Sequence, residues 1–405
     1  MGSVESAQAQ PEPTLAEMGA RMAAASAAGD YGGVVKWGLQ ALARAPDHPY
    51  LLISLARASA ATGQDADALR YLDEAAKRGM GFDPLAWPEF SRLKDLPTLQ
   101  PIAGRGRANL GPVNAARLLA VLPARESEGV AYNPISHSVF ATGDGRVLQV
   151  SLQGVVTEFA RGEGLRQLLG IKVDARRRLL WAVNGRFPNA ELKAHPTPDL
   201  GVSELRAFRL EDAAPAGTYI LDERPTLHGF NDIALAENGD VYVTDSPTDA
   251  VYRLHGGKLA LFVSGSDMSQ PNGIALAADQ RRLYIATIEG LVLLDLATGR
   301  HHLVQTPPDT SVNSIDGLIW WRGSLVGVQN SPFLARIIKI DLDRQGTRIL
   351  RVSVLNSRAP VEYGQTDISA DDSVLYVAAG RPARYPDDSQ SAAAPSPRIL
   401  VITPH

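Results

Sequence analysis

Residues 270–287 read QPNGIALAADQRRLYIAT, and the parsing of this stretch decides the fold. It opens on Asn272-Gly273, runs through the short apolar strand Ile274-Ala275-Leu276, turns on polar residues, and returns through Leu283-Tyr284-Ile285-Ala286. Two short β-branched or aromatic runs around a polar turn make an antiparallel hairpin. The same phrase recurs five more times. Glu128 leads GVAYNPISHSVFATG, Gly170 leads IKVDARRRLLWAVNG, and Asn231 leads DIALAENGDVYVTDS. Asp316 leads GLIWWRGSLVGVQNS, and Gln365 leads TDISADDSVLYVAAG. The residues that begin the first strands, Val130, Ile171, Ile233, Ile274, Leu318 and Ile368, are spaced 41, 62, 41, 44 and 50 apart. Such spacing suits four-stranded blades. The long gap contains residues 186–205, rich in Pro and polar residues, which read as a loop insertion. Strand pairs such as 250–254 with 258–263, and 290–296 with 301–304, supply outer halves. Six copies predict a six-bladed β-propeller over 110–405. Its ring is closed by Ile399-LVIT pairing with strands before Glu128, so that no sheet edge stays open.

Upstream the texture differs. Residues 14–80 are rich in Ala and Leu at helical period, in four segments broken at Gly29-Asp30, at 46–49 and at Gly63-Gln64. Gly29 and Gly63 lie 34 residues apart, as do Val35 and Leu69, Trp37 and Tyr71, and Ala41 and Ala75. A helix–turn–helix period of this length resembles tetratricopeptide repeats. The expected fold class is therefore mostly β, a six-bladed propeller preceded by a small all-α tetratricopeptide-like domain over 14–105. Residues 81–105 cap the helical stack. Packing against the propeller is its leading role, with a peptide or protein partner in its groove as the alternative.

Composition narrows the function. The chain of 405 residues is 45% apolar and 21% charged, and carries 40 Lys+Arg against 44 Asp+Glu. With a net charge of −4 and no basic stripe, nucleic acid and anionic membrane surfaces are not expected partners. No uncharged apolar run is long enough for a membrane span. The absence of cysteine excludes disulfides, thiol nucleophiles and iron–sulfur clusters, so any metal must be held by oxygen or imidazole. No Gly-x-Ser-x-Gly elbow, phosphate loop or dinucleotide fingerprint is present. Residues 1–13, MGSVESAQAQPEP, read as a leader or tag remnant. The expected location is periplasmic or secreted after signal cleavage, with a cytoplasmic terminus as the alternative.

In a propeller, the residues just before each innermost strand converge on one mouth of the central channel. Here those positions hold Glu128, Gly170, Asn231, Asn272, Asp316 and Thr366 or its neighbours. Singly, an Asn or Asp before Gly is an ordinary turn former. Together, two carboxylates and two amides at one phase of a repeat suit a hard divalent cation, most of all Ca²⁺, with Mn²⁺, Mg²⁺ or Zn²⁺ as alternatives. His228, three residues before Asn231, is placed on the channel rim as a candidate proton shuttle. Phe333 and the 186–205 insertion are expected to line the entrance. Trp320 and Trp321 are expected to pack between blades.

Glu128-Gly129, Asn231-Asp232, Gln270-Pro271-Asn272-Gly273 with Leu283-Tyr284, and Asp316-Gly317 resemble the gluconolactonase–regucalcin (senescence marker protein) family over residues 110–403. The resemblance implies that Glu128, Asn231, Asn272 and Asp316 ligate one divalent metal. It also implies that Asp316 doubles as general base or nucleophile. Two departures stand out. Val130 follows Gly129 where family members usually carry Pro, and Gly229 stands where sugar-lactone members carry Arg. The second removes a fixed guanidinium that would reach sugar hydroxyls. The expected activity is metal-dependent hydrolysis of a small-molecule lactone or related ester. The alternatives are a metal-containing propeller catalysing cyclisation or condensation, and a non-enzymatic protein-interaction scaffold.

Overall fold

The computed structural model describes residues 13–46, 48–110, 116–188, 190–331, 334–357, 364–381 and 396–404. Residues 1–12 of the leader, Phe333 and the Ala-rich stretch at 392–395 lie outside them. Four helices open the chain: α1 (Leu15–Ala27), α2 (Tyr31–Arg44), α3 (Pro49–Ala61) and α4 (Asp65–Lys77). Thr14 and Glu17 form a capping box at α1, and the Asp30 carboxylate caps α2 at Gly33 N, 2.8 Å away. Helices α1 and α3 begin 34 residues apart, and so do α2 and α4. Gly29, Gly63 and Gly79 take φ of 69°, 78° and 72° where helices end, a left-handed turn that favours glycine. Leu55 and Leu72 meet Phe82 and Phe90 in a closed core. Residues 84–93 form two 3₁₀ turns. Helix α5 (Leu99–Ala108), which the sequence reading had merged into the cap, completes this layer.

The rest is a ring of six four-stranded antiparallel sheets. After β1 (Arg117–Val121), blade one holds β2 (Val130–Asn133), β3 (Ser138–Gly143), β4 (Arg146–Ser151) and β5 (Val156–Ala160). Blade two holds β6 (Gln167–Asp174), β7 (Leu179–Gly185), β8 (Ser203–Arg209) and β9 (Pro215–Leu221). The insertion, with the short helix α6 (Ala190–Ala194), lies between β7 and β8. Blade three holds β10 (Phe230–Leu235), β11 (Val241–Asp245), β12 (Ala250–His255) and β13 (Lys258–Ser264). Blade four holds β14 (Ile274–Leu276), β15 (Arg282–Ala286), β16 (Leu291–Asp295) and β17 (His301–Leu303). Blade five holds β18 (Ile315–Trp321), β19 (Ser324–Ser331), β20 (Leu334–Leu342) and β21 (Ile349–Ser357). Blade six is β22 (Gly364–Ala370), β23 (Leu375–Arg381) and β24 (Arg398–Ile402), and β1 pairs with β24 as its outermost strand. The predicted closure is therefore the observed one.

Side-chain alternation along the strands supplies the packing between blades. Trp320 stacks on Tyr284 of blade four at 6.0 Å, while the adjacent Trp321 turns to blade six and donates Nε1–H to Asp371 O at 2.8 Å. Tyr132 stacks on Tyr376 at 5.3 Å and 5° where the first and last blades meet. The helical layer docks on the mouth face over blades four and five. Ile288 enters the cluster of Leu15, Met18 and Met22. Arg44 Nη2 donates to Ser266 O at 3.4 Å, and Arg336 Nη1 donates to Gly79 O at 2.8 Å. Among the described residues no helix is long and apolar enough to cross a membrane.

Candidate functional site

The six inner strands begin close together around the channel, and glycine is what lets them. A Cβ on Gly170 would lie 2.6 Å from Asn231 O, and one on Gly129 or Gly273 would collide with the backbone carbonyl of Leu169 or Asp316. These glycines share one phase of the repeat, in the ring Gly129, Gly170, Asp232, Gly273, Gly317, Asp367. Gly170 thus belongs one residue further along than the leading position given to it by the sequence reading, which Leu169 occupies instead. In blades two, three, five and six the inner-strand register slips just before the common apolar residue, at Ile171, Ile233, Leu318 and Ile368. Such irregularities interrupt the ladder and re-aim the side chains they release. Asn231 and Asp316 sit in two of them.

Glu128, Asn231, Asn272 and Asp316 line one small pocket with Asp232, Thr366 and Asp367. Its volume is about 10 Å³, room for one water-sized sphere. Neighbouring hydroxyls fix the backbone on which these side chains stand. Thr142 Oγ1 accepts from Glu128 N at 3.1 Å and from Gly129 N at 2.9 Å. Thr366 Oγ1 donates to Glu128 O, and Thr244 Oγ1 to Asn272 O, each at 2.8 Å. Asn231 donates its amide N–H to Ser246 Oγ at 3.2 Å, which leaves its oxygen lone pairs for a cation. Asn330 donates Nδ2–H to Asp316 Oδ2 at 2.9 Å. Asn330 was missed in the sequence, where it falls at the end of the fifth phrase's second strand and is not singled out.

Two members of the ring are carboxylates, on opposite blades. Asp232 accepts from Ile233 N at 2.8 Å and, across the blade boundary, from Ile274 N at 3.2 Å. Asp367 does the same with Ile368 N at 2.8 Å and Val130 N at 2.9 Å. Lys172, from blade two, places its ammonium 2.9 Å from Asp232 Oδ1 and 3.5 Å from Asp367 Oδ1. Burial disfavours the lysine's charge, but the two carboxylates overcome it and hold the ammonium above its ordinary value. Burial, with Asp232 nearby, pushes Asp367 up to about 7 despite Lys172. The sequence signal for this triad is a lysine in an inner strand otherwise lined by small or apolar residues.

A larger cleft of about 200 Å³ adjoins the pocket and shares Asn272 and Asp316 with it. Its far wall carries His48, from the turn between α2 and α3. The helical layer therefore reaches the mouth itself.

His228 is placed elsewhere. It lines neither the pocket nor the cleft, is 1% exposed, and sits with Nδ1 2.5 Å from Asp245 Oδ2 and edge-on to Tyr252. Burial lowers its pKa, but Asp245 and the charge of Glu223 outweigh this and hold the imidazole above its ordinary value. Asp245 also accepts from Gly229 N at 2.8 Å, so the pair ties the loop before β10 to the end of β11. The departure at Gly229 has a steric cause. A Cβ there would lie 2.9 Å from Pro188 Cδ, 2.9 Å from Pro247 Cγ and 3.0 Å from Phe187 Cδ2. Two of these three atoms belong to the blade-two insertion, so a side chain at 229 could enter only if the insertion and Pro247 gave way.

Among the described residues, no group of three or more His, Asp or Glu side chains is disposed to hold a metal ion. The candidate set instead mixes two carboxylates with two amides. No protein-family model matches the chain, and no curated protein matches it. Among solved structures, a gluconolactonase of Xanthomonas campestris is 17% identical over 73% of this chain and 93% of its own, with a TM-score of 0.49. The PQQ-bound aldose sugar dehydrogenase of Streptomyces coelicolor is 14% identical over 72% and 99%, with a TM-score of 0.48. A luciferin-regenerating enzyme is 15% identical over 69% of this chain and 92% of its own, with a TM-score of 0.50. The likeness to that enzyme is one of fold: both chains build the same propeller.

Proposed function

We propose that this protein is a divalent-metal-dependent hydrolase of a lactone or related ester. The observation that carries the reading is the meeting of Glu128, Asn231, Asn272 and Asp316, from four different blades, on one pocket with room for a single small sphere. Their donor atoms are all oxygen, and two amides beside two carboxylates suit Ca²⁺ better than a soft metal. Charge supports the same reading. Glu128, Asp316 and Asp232 stand against the ammonium of Lys172, so the mouth favours a cation even where Asp367 keeps its proton.

When bound, the cation would polarise a substrate carbonyl and stabilise the oxyanion that develops on it. The substrate itself does not fit the pocket and belongs in the adjoining cleft, where Asp316 and Asn272 form the shared wall. Asp316, its Oδ2 held by Asn330, is oriented to take a proton from water as the water oxygen adds to the carbonyl carbon. The same proton then returns to the departing alkoxide, which leaves acid and alcohol as products.

The test is calorimetric titration of Ca²⁺ into chelator-stripped protein, beside a turnover screen of lactones and esters in ¹⁸O-labelled water. One site per chain, lost in Glu128→Gln and in Asn272→Ala, is expected. Asp316→Asn should keep partial metal affinity and lose most turnover, with label entering product in the wild type. A well-folded wild type that binds no cation would sink the reading and return the propeller to a scaffold role. Full turnover in Asp316→Asn would remove Asp316 from the chemistry.

A further inference from the structure

We infer that the helical layer supplies a substrate-contacting residue, His48, to the cleft beside Asp316, so that the binding site is shared between the two parts of the chain. This deepens the reading above and rests on it for where the chemistry lies. Its first support is position. His48 faces the cleft that Asn272, Asp316 and Asn330 line from the propeller side. Its second is an unmet demand. The Nδ1 atom is turned away from solvent and finds no hydrogen-bond partner among the described residues, so turning the half-buried ring to bring that atom into the cleft breaks no hydrogen bond. A buried polar atom left in this way costs stability and calls for an explanation.

Helix α3 does not supply one. The His48 carbonyl accepts from Leu51 N at 3.1 Å and Leu52 N at 3.2 Å, which any residue could do, and its side chain makes no cap bond. Ser, Thr, Asp or Asn would cap better there. The roof that carries the histidine is firmly placed, because Ile288 of the cleft wall is itself packed into the helical core. Burial pushes the imidazole down to about 4, so it is neutral at physiological pH and offers one N–H and one lone pair. The occupant that fits is a compact polar molecule. It must present a hydroxyl or carbonyl to His48 while its reacting carbonyl lies against Asp316.

The experiment uses full-length His48→Leu and His48→Gln, with β-hydroxy-δ-valerolactone, which carries a hydroxyl besides its reacting carbonyl, as substrate probe and the corresponding hydroxy-δ-valerolactam as its non-hydrolysed analogue. His48→Leu should raise KM roughly tenfold, the worth of one hydrogen bond, with kcat changed less and Ca²⁺ stoichiometry unchanged. His48→Gln should recover part of the loss. His48→Leu should melt no lower than the wild type, since it removes an orphaned polar atom. The His48 ring resonance, assigned by its disappearance in His48→Gln, should move on adding the lactam, in the wild type and in Asp316→Asn alike. A lower melting temperature with a resonance unmoved by the lactam would make His48 a structural residue and overturn the inference, whatever the turnover. Unchanged kinetics in His48→Leu, beside a dead Asp316→Asn, would overturn it while leaving the hydrolase reading intact. A moving resonance beside an active Asp316→Asn would do the reverse.

Discussion

Asn330 donates a hydrogen bond to Asp316 Oδ2 and so helps to set the rotation of the candidate base about χ2. A partner that orients an active carboxylate typically contributes 10–100-fold to activity, so Asn330→Ala should lower kcat by about that factor. Cation stoichiometry should hold, because Glu128, Asn231 and Asn272 are untouched. Calorimetry beside initial rates checks both halves, and an unchanged kcat would mean that Asp316 is oriented by something else. Gly229 is the second instructive residue. Restoring an arginine there would drive a Cβ into Phe187, Pro188 and Pro247. Overpacking of this kind costs about 1–3 kcal/mol, and Gly229→Arg should lose that much stability in urea without gaining activity on sugar lactones. A gain in such activity would show that the insertion yields easily. In the sequence this position registers only as a missing guanidinium. The cause lies some forty residues upstream, in the insertion of a different blade.

At the scale of the strand, the Gly-Gly-Asp-Gly-Gly-Asp ring shows why the fold was legible and part of the site was not. The repeat phrase fixes the blades because every inner strand must combine a tight start, an apolar run and a polar turn, and composition alone reports all three. The four oxygen-bearing leading residues stand out for the same reason: they share a phase. Lys172 does not, since its meaning depends on two carboxylates from blades three and six, and Asp232 and Asp367 look like turn residues until the ring closes. Asn330 was hidden by a contact with Asp316 in the neighbouring strand, and His48 by a cleft whose other walls come from the propeller, far away in sequence. The buried triad makes a prediction of its own for chelator-treated protein. Burial pushes Asp367 up to about 7, whereas an unfolded aspartate titrates near 3.9. Between those values the folded chain keeps a proton that the unfolded chain has released, so stability falls as pH rises from about 4 to about 7. Asp367→Asn should flatten that fall in urea unfolding. Saturating Ca²⁺ should offset it in the wild type, because a nearby cation favours the ionised carboxylate. An equal slope in the variant would place the titration elsewhere.

Across the whole molecule, the question the sequence left open was where the helical layer sits, and a few polar contacts answer it. Arg336 is 4% exposed, and burial pushes its guanidinium down to about 10. Among the described residues no carboxylate pairs with it. It donates Nε–H to Gln329 Oε1 at 2.6 Å and Nη1–H to Gly79 O at 2.8 Å. Gln329 in turn donates to Ser311 O at 3.1 Å and Asn313 O at 2.9 Å, which links the guanidinium to the loop ahead of Asp316. A cation held in the interior by carbonyls alone is a poor source of stability. What it provides is a fixed angle between two parts that could otherwise slide on apolar contacts. Arg336→Met keeps much of the volume and removes the link. The propeller strands should then keep their hydrogen-exchange protection, or gain some from the relieved charge, while α4 and α5 exchange at least about tenfold faster as the layer detaches locally. Because His48 rides on that layer, KM for a small lactone should rise in the same variant. Faster exchange with an unchanged KM would separate docking from binding, and unchanged exchange would assign the docking to Ile288 and its apolar neighbours instead.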